Sequence, residues 1–519
     1  MFTLLSRSLI TTAVSAAVLV STTGSAIAAT NTLTVTAVNR SGAKVSIAAN
    51  VINVSTNVSY TIRTGKARKL PKGSYAVLAA IPTGYTTTLG GKPVKVSGST
   101  KLTLDARYGK PVNLGISPAV TGLEKRTQAR LCVDSFISTS VEGYGSDDSP
   151  VYVIPTASKK IQFAAMGTWT NALGSGDSYA VVHRSNGVPS TPSRAFKRAS
   201  LGTVTVDSRR GTGIANYNGF AVQPQDGCAT DLYSNLFTTE DPTYSKVHLT
   251  PGNWHLRSDS QATTSTGEGW NVDSLFASRK VAAGKPAFVR FNGAATGPGY
   301  ELPTVIRGRM NYSLDDMFTD PGFRWSGDPA KVVATLKTGG KTVKTRKVGT
   351  YGVYGPQLEY WVKKAGWYTL SVNATRYYPG ITLPSGMLST ASGVVFRFPA
   401  KPDTSVLPPL FTVQHVPAGL NNWNRAKAGS TTNVAIRLNR AGHDTDAKRG
   451  ANPKLKSLST KISTDGGRTW RSVPVRKING VWHAIVPNPA SGAVSLRTRA
   501  TYTNGGYTEA TVFRAYAIG

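Results

Sequence analysis

An all-β protein made of tandem β-sandwiches is what this sequence predicts, on three observations. Gly 52 and Pro 29 make up about 16% of 519 residues, above the roughly 12% of an ordinary chain, which favours turns and short strands over long helices. Apolar and polar residues alternate over short runs along most of the length, the period of a half-buried strand. No window past the first 29 residues offers several turns of amphipathic helix with caps. The 40% hydrophobic residues, with 9 Trp, 21 Tyr and 15 Phe, supply apolar surface for several cores, since a domain takes roughly 100 to 200 residues. That composition excludes disorder over most of the chain.

The first 29 residues have the three-part layout of a cleaved secretory signal peptide: Arg7, the apolar stretch Leu9 to Val20, and the small residues Ala26, Ala28 and Ala29. Cleavage is expected near Ala28 or Ala29, leaving a soluble mature chain that is secreted and extracellular. A membrane anchor is the weaker reading. The twelve residues from Leu9 to Val20 fall short of the about 20 that cross a hydrocarbon core, and no later run reaches that length. With one arginine in the leader, the twin-arginine route is not indicated.

Residues 30–117 form the first expected unit. Leu33-Thr-Val35-Thr-Ala37 alternates apolar and polar, Leu70 to Ile81 is a Pro/Gly turn feeding an aromatic-led strand, and Lys101 to Ala106 alternates again. Residues 118–300 hold both cysteines and the runs Val151–Ile154, Tyr179–His183, Val204–Val206, Lys246–Leu249 and Ala287–Phe291. Residues 301–400 include Gly366 to Ala374, in which Tyr368, Leu370, Val372 and Ala374 share one side of a strand and Trp367 takes the other. The proline-containing stretch Phe398 to Pro409 suits a connector, because proline cannot donate to a ladder, and places a boundary near 401. Residues 401–519 carry Thr432–Leu438, Val481–Val486, Val494–Ala500 and Ala510–Tyr516, the strands of an Ig-like sandwich.

Cys132 and Cys228 are the two cysteines of a chain bound for an oxidising compartment, so a disulfide is the expected assignment. A reactive thiol is the competing one, but neither cysteine has a nearby His or a Cys-x-x-Cys partner.

The Leu-Pro-Lys-Gly-Ser-Tyr75 turn and strand resembles the Leu-Pro-x-Gly-x-Tyr hairpin of carboxypeptidase regulatory-like, prealbumin-type sandwiches. The whole chain from 30 to 519 is similar to the non-catalytic C-terminal array of secreted subtilisin-like peptidases of actinobacteria. Five passages carry this resemblance: Leu70 to Ile81, Leu102 to Val112, Ser178 to Val182 with Gly187 to Pro189, Leu407 to Leu410, and Ser463 to Trp470 through Val494–Arg497 to Tyr516. The resemblance implies prealbumin-like and Ig-like sandwiches without the peptidase domain.

The surroundings of a subtilisin-type serine, histidine and aspartate are missing from the sequence: there is no Gly-Thr-Ser-Met-Ala, no His-Gly-Thr-His and no Gly-x-Ser-x-Gly. Gly211-Thr-Gly-Ile-Ala215 lacks the serine. Ser463, Asp465, Gly467, Thr469 and Trp470 fit the Asp-box pattern of sialidases. That pattern is a hairpin turn in which Asp465 accepts turn amides, Gly466 and Gly467 allow positive φ, and Trp470 packs beneath. His183, His248, His255, His415, His443 and His483 are scattered without His-Glu-x-x-His spacing, so no metal or other cofactor is expected. Asp147-Asp148 and Asp315-Asp316 are acidic turns outside any Asp-x-Asp-x-Asp calcium loop. No catalytic residue is nominated, and the chain is expected not to be an enzyme.

Charge is the strongest physical signal. Lys+Arg 60 against Asp+Glu 26 gives +34, or +33 once Arg7 leaves with the leader. Residues 30–117 hold 12 basic residues and the acid Asp105, and residues 401–519 hold 17 against 5. Arg63, Lys66, Arg68, Lys69 and Lys72 form one concentration; Lys331 to Lys347, with six basic residues and no acid, form a second. Such a field attracts polyanions over about 8 to 10 Å at ordinary salt. An anionic cell-wall polymer or another extracellular polyanion is the expected partner. No module that reads nucleic-acid sequence is recognisable, and general solubility is the competing account of the charge. The expected function is a secreted, non-catalytic protein that binds or adheres at the cell envelope or to an extracellular anionic polymer. An accessory to a secreted peptidase and an unrecognised extracellular hydrolase are the alternatives.

Overall fold

The computed structural model describes residues 31–133, 140–146, 149–171, 176–323, 330–349, 355–440, 448–450 and 452–519. The expected leader, Asp147-Asp148 and His443 lie outside these. Among the described residues the chain is built of β-strands, with three single 3-10 turns, Ala106–Tyr108, Arg198–Ser200 and Gly227–Ala229. The architecture is a tandem array of β-sandwiches.

The first sandwich packs a four-stranded sheet, in which Thr32–Val38 runs parallel to Ser99–Asp105, on a six-stranded sheet centred on Gly73–Thr83 and Thr86–Val96. Leu33 and Val35 from one sheet meet Val51, Tyr75, Val77 and Ile81 from the other in a closed core, as the alternation in these strands requires. Tyr152–Val153 lies in the six-stranded sheet between Thr86–Val96, to which it is parallel, and the edge strand Lys110–Pro111, so residues beyond 117 belong to this sheet.

A seven-stranded sheet from Glu124–Val133 to Pro286–Phe291 faces a four-stranded one whose centre is Tyr217–Pro224 and Gly252–Thr263. Between them lie Val204, Phe220, Trp254, Leu256 and Phe291. The other face of the seven-stranded sheet packs Leu131, Phe163 and Val181 against Leu78 and Leu89 of the first sandwich.

Residues from 294 to 518 share one core. Its largest sheet has nine strands and joins Gly366–Arg376 to Ala391–Ala400 and then to Tyr507–Ile518, with Val394 opposite Ala510. Hydrogen bonding therefore runs across residue 401, and the expected units 301–400 and 401–519 share a sheet. Tyr368, Leu370, Val372 and Ala374 are all buried, while Trp367 is half-buried on the other face. A five-stranded sheet carrying Arg309–Ser313 and Gln357–Trp361, and a four-stranded one carrying Thr431–Asn439 and Val481–Pro487, enclose the rest.

Candidate functional site

Cys132 and Cys228 are joined in a disulfide, their Cα atoms 5.9 Å apart. Both are buried in the second core, Cys228 on the turn Gly227–Ala229.

In the Asp-box turn, Ser463 Oγ accepts from the Gly467 amide at 2.8 Å and donates to Asp465 at 2.7 Å. Asp465 also accepts from the amides of Arg468 and Thr469, both at 3.0 Å, and from the Thr469 hydroxyl. The hydroxyl bonds first, then the amide bonds, hold its carboxyl well below the usual carboxylate range. Trp470 Nε1 donates to the Gly467 carbonyl at 3.0 Å, and the indole packs edge-on to Phe513 under the Arg497 guanidinium. Gly467 has φ +94, and a Cβ there would stand 2.4 Å from the Phe513 ring. The polar groups of this motif are thus taken up by the turn itself.

The described histidines stand apart. His415 is buried with Nε2 2.8 Å from the Thr498 hydroxyl, His248 stacks on Tyr179 beside Asp177, and His183 lies near Arg194. Among the described residues no group of three His, Cys, Asp or Glu could hold a metal ion. Asp316 is buried, accepting from the Glu301 amide at 2.8 Å and from the Thr319 hydroxyl, while Asp315 accepts from Ser313. A small pocket of about 30 Å³, lined by Ser260, Asn292, Asp320 and Arg376 among others, has room for a water molecule.

A different place has the shape of a ligand site. Arg309–Ser313 and Gln357–Trp361 pair antiparallel, with Arg309 opposite Trp361 and Asn311 opposite Glu359. Met310, Tyr312 and Leu358 go into the core, so period two sends Arg309, Asn311, Glu359 and Trp361 to the other face. The hairpin before Arg309 turns through Arg307 and Gly308, both with positive φ. Gly308 is required there, since a Cβ would lie 2.7 Å from the Asp403 amide nitrogen. The turn presents Arg307 at the surface.

Trp361 is 62% exposed. It forms a wall of two adjoining clefts, one of about 570 Å³ shared with Arg309, Lys344, Glu359, Tyr360 and Lys363, the other of about 730 Å³ shared with Ile306, Arg307, Arg309, Asn311 and Ser405. Four cations and one carboxylate therefore surround one exposed indole. Arg309 pairs with Glu359, and that bond holds the Glu359 carboxyl below its ordinary range and the guanidinium above its own. Asn311 Oδ1 is buried and has no hydrogen-bond donor among the described residues. An acceptor left so costs about 1–3 kcal/mol unless water or a ligand supplies a proton.

Of these residues, Lys344 belongs to the basic run seen in the sequence; Arg307, Arg309, Asn311, Lys363 and Trp361 drew no notice there. Lys341–Val348 is the outer strand of the nine-stranded sheet, and its exposed Lys341, Lys344, Arg346 and Lys347 keep that edge from adding a foreign strand. Among the described residues no helix is long and apolar enough to cross a membrane.

No family model matches the chain, and no curated protein matches it. Similar solved structures include the FN1-FN3 domains of chicken CNTN1, with 8% identity over 67% of this chain and 94% of that one and a TM-score of 0.14. Sidekick-1 immunoglobulin domains 1-4 share 10% identity over 78% of this chain and 96% of that one, with a TM-score of 0.13. Trypsin-activated alpha-2-macroglobulin from Escherichia coli shares 10% identity over 90% of this chain and 39% of that one, with a TM-score of 0.14.

Proposed function

We propose that this chain is an exported, non-catalytic array of β-sandwiches that holds an anionic polymer at the cell envelope. The observation that carries the reading is the gathering of Arg307, Arg309, Lys344 and Lys363 around the exposed Trp361, on a chain whose net charge is +34. A polyanion brought near by the general field meets, at this place, fixed donors beside an apolar plate. A hydrolase would need an acid, a base or a nucleophile in such a cleft. The Glu359 carboxylate there is engaged by Arg309, which lowers its basicity and makes it a poor general acid.

The test compares elution of the mature chain from heparin and from a plain sulfonate cation exchanger of equal charge density. Retention on heparin to higher salt is expected, and R307Q/K363Q shifts it down toward the sulfonate value. Identical elution from both resins leaves only non-specific charge and removes the reading.

A further inference from the structure

The lining of the Trp361 clefts is mixed in a way that charge alone does not explain. Among the four cations stands the Glu359 carboxylate, half-exposed beside Arg309. A polyphosphate brings only acceptors and would be repelled by this carboxylate. A sugar brings hydroxyl donors. One face of a pyranose is also a plate of C–H groups, which fits the negative face of an exposed indole. Both volumes fall in the range of about 300–1,000 Å³ that suits a small ligand.

We infer that the Trp361 clefts bind an acidic polysaccharide, one ring stacked on Trp361, its hydroxyls donating to the half-exposed Glu359 carboxylate and its own carboxylate or sulfate held by Arg307, Lys344 or Lys363. This rests on the polyanion reading and adds the ligand's class to it. Single-stranded nucleic acid would need a row of aromatic plates, one per base. Among the described residues Trp361 is the single large exposed ring lining these clefts; its neighbour Tyr360 leans on Tyr368 and is half-buried.

The experiment measures binding of the full mature chain and its variants to three probes at 150 mM salt: polygalacturonate, inorganic polyphosphate and poly(dT). W361A is expected to weaken polygalacturonate about tenfold or more, leaving polyphosphate within about twofold. W361F, which keeps a ring, recovers part of the loss. R307Q/K363Q weakens polygalacturonate and polyphosphate alike. Because Trp361 is exposed, W361A keeps its fold, checked by an unchanged melting temperature. If W361A leaves polygalacturonate binding unchanged while R307Q/K363Q still lowers polyphosphate binding, the saccharide inference falls and the polyanion reading stands. Loss of poly(dT) binding in W361A, with polygalacturonate untouched, assigns the plate to nucleic-acid bases and overturns the inference. If no probe binds more tightly than to a sulfonate resin, both readings fall.

Discussion

Replacing Asp316 by Asn is expected to change how the stability of the 294–518 core depends on pH. Asp316 is 1% exposed. Burial pushes its carboxyl up to about 7, against the bonds from Thr319 and Glu301, while the charges of Glu301 and Asp315 add to the rise. His415, in a strand that contributes Val413 to the same core, is also 1% exposed, and burial pushes its imidazole down to about 4. In the unfolded chain these groups titrate near 3.9 and 6.5. From about pH 4 to 6.5 the folded core thus holds one proton more than the unfolded chain at Asp316 and one fewer at His415. The Asp316 contribution to stability falls as pH rises through this window, and the His415 contribution is lost as pH falls through it. Each changes by about 1.4 kcal/mol per pH unit, so the two nearly cancel.

Over its full range, from about pH 3.9 to 7, Asp316 removes about 4 kcal/mol; His415, from about 6.5 down to 4, removes about 3 kcal/mol. In D316N the Asp316 slope is gone while the histidine slope remains, and the core gains up to about 4 kcal/mol over the unsubstituted protein at pH 7.5 and nothing at pH 4. H415Q shows the reverse tilt. Amide hydrogen exchange of the strand Gly366–Arg376, whose Leu370 and Val372 lie in this core, reads the effect. The D316N to wild-type protection ratio should climb about tenfold per pH unit between pH 4.5 and 6.5. A flat ratio from pH 4.5 to 7.5 would mean that Asp316 ionises as easily in the folded core as in water, and the reasoning fails.

Other substitutions report on the remaining contacts. Asn424 is wholly buried with φ 57 and donates to the carbonyls of Gly211 and Asn292 at 3.0 Å. N424A leaves both carbonyls unpaired and should cost about 2–4 kcal/mol in urea melts; a loss below about 0.5 kcal/mol would show that the bonds are replaced by water. C132A/C228A opens a loop with a sequence separation of 96 and should cost about 4 to 5 kcal/mol on the chain-entropy estimate, with no effect of reductant on the double variant. G467A drives a methyl group into the Phe513 ring at a position with φ +94, and should lower stability by about 1–3 kcal/mol. An unchanged calorimetric melting temperature would show that the turn relaxes freely.

Much of the fold was legible in the sequence because a strand writes its two faces into alternate residues. Tyr368, Leu370, Val372 and Ala374 could be assigned to one face from spacing alone, and the structure buries all four. The Asp-box turn was readable as well, since its bonds span at most four residues. The Trp361 site was not. Trp361 and Trp367 lie six positions apart on consecutive strands, yet one is exposed and the other half-buried. Only the pairing of Arg309 with Trp361 brings guanidinium and indole together from 52 positions apart.

By itself the sequence determined what is local: strand periodicity, turn chemistry, the sign and size of the charge, and the two cysteines available to pair. The tertiary structure alone decided which strands became neighbours. It placed Ala391–Ala400 beside Tyr507–Ile518 across more than a hundred residues, and so merged two expected units into one core. It also chose which cations surround an exposed ring. The physical reason is that register between distant strands is set by burial of whole faces at once, a property of the packed chain that no short window contains.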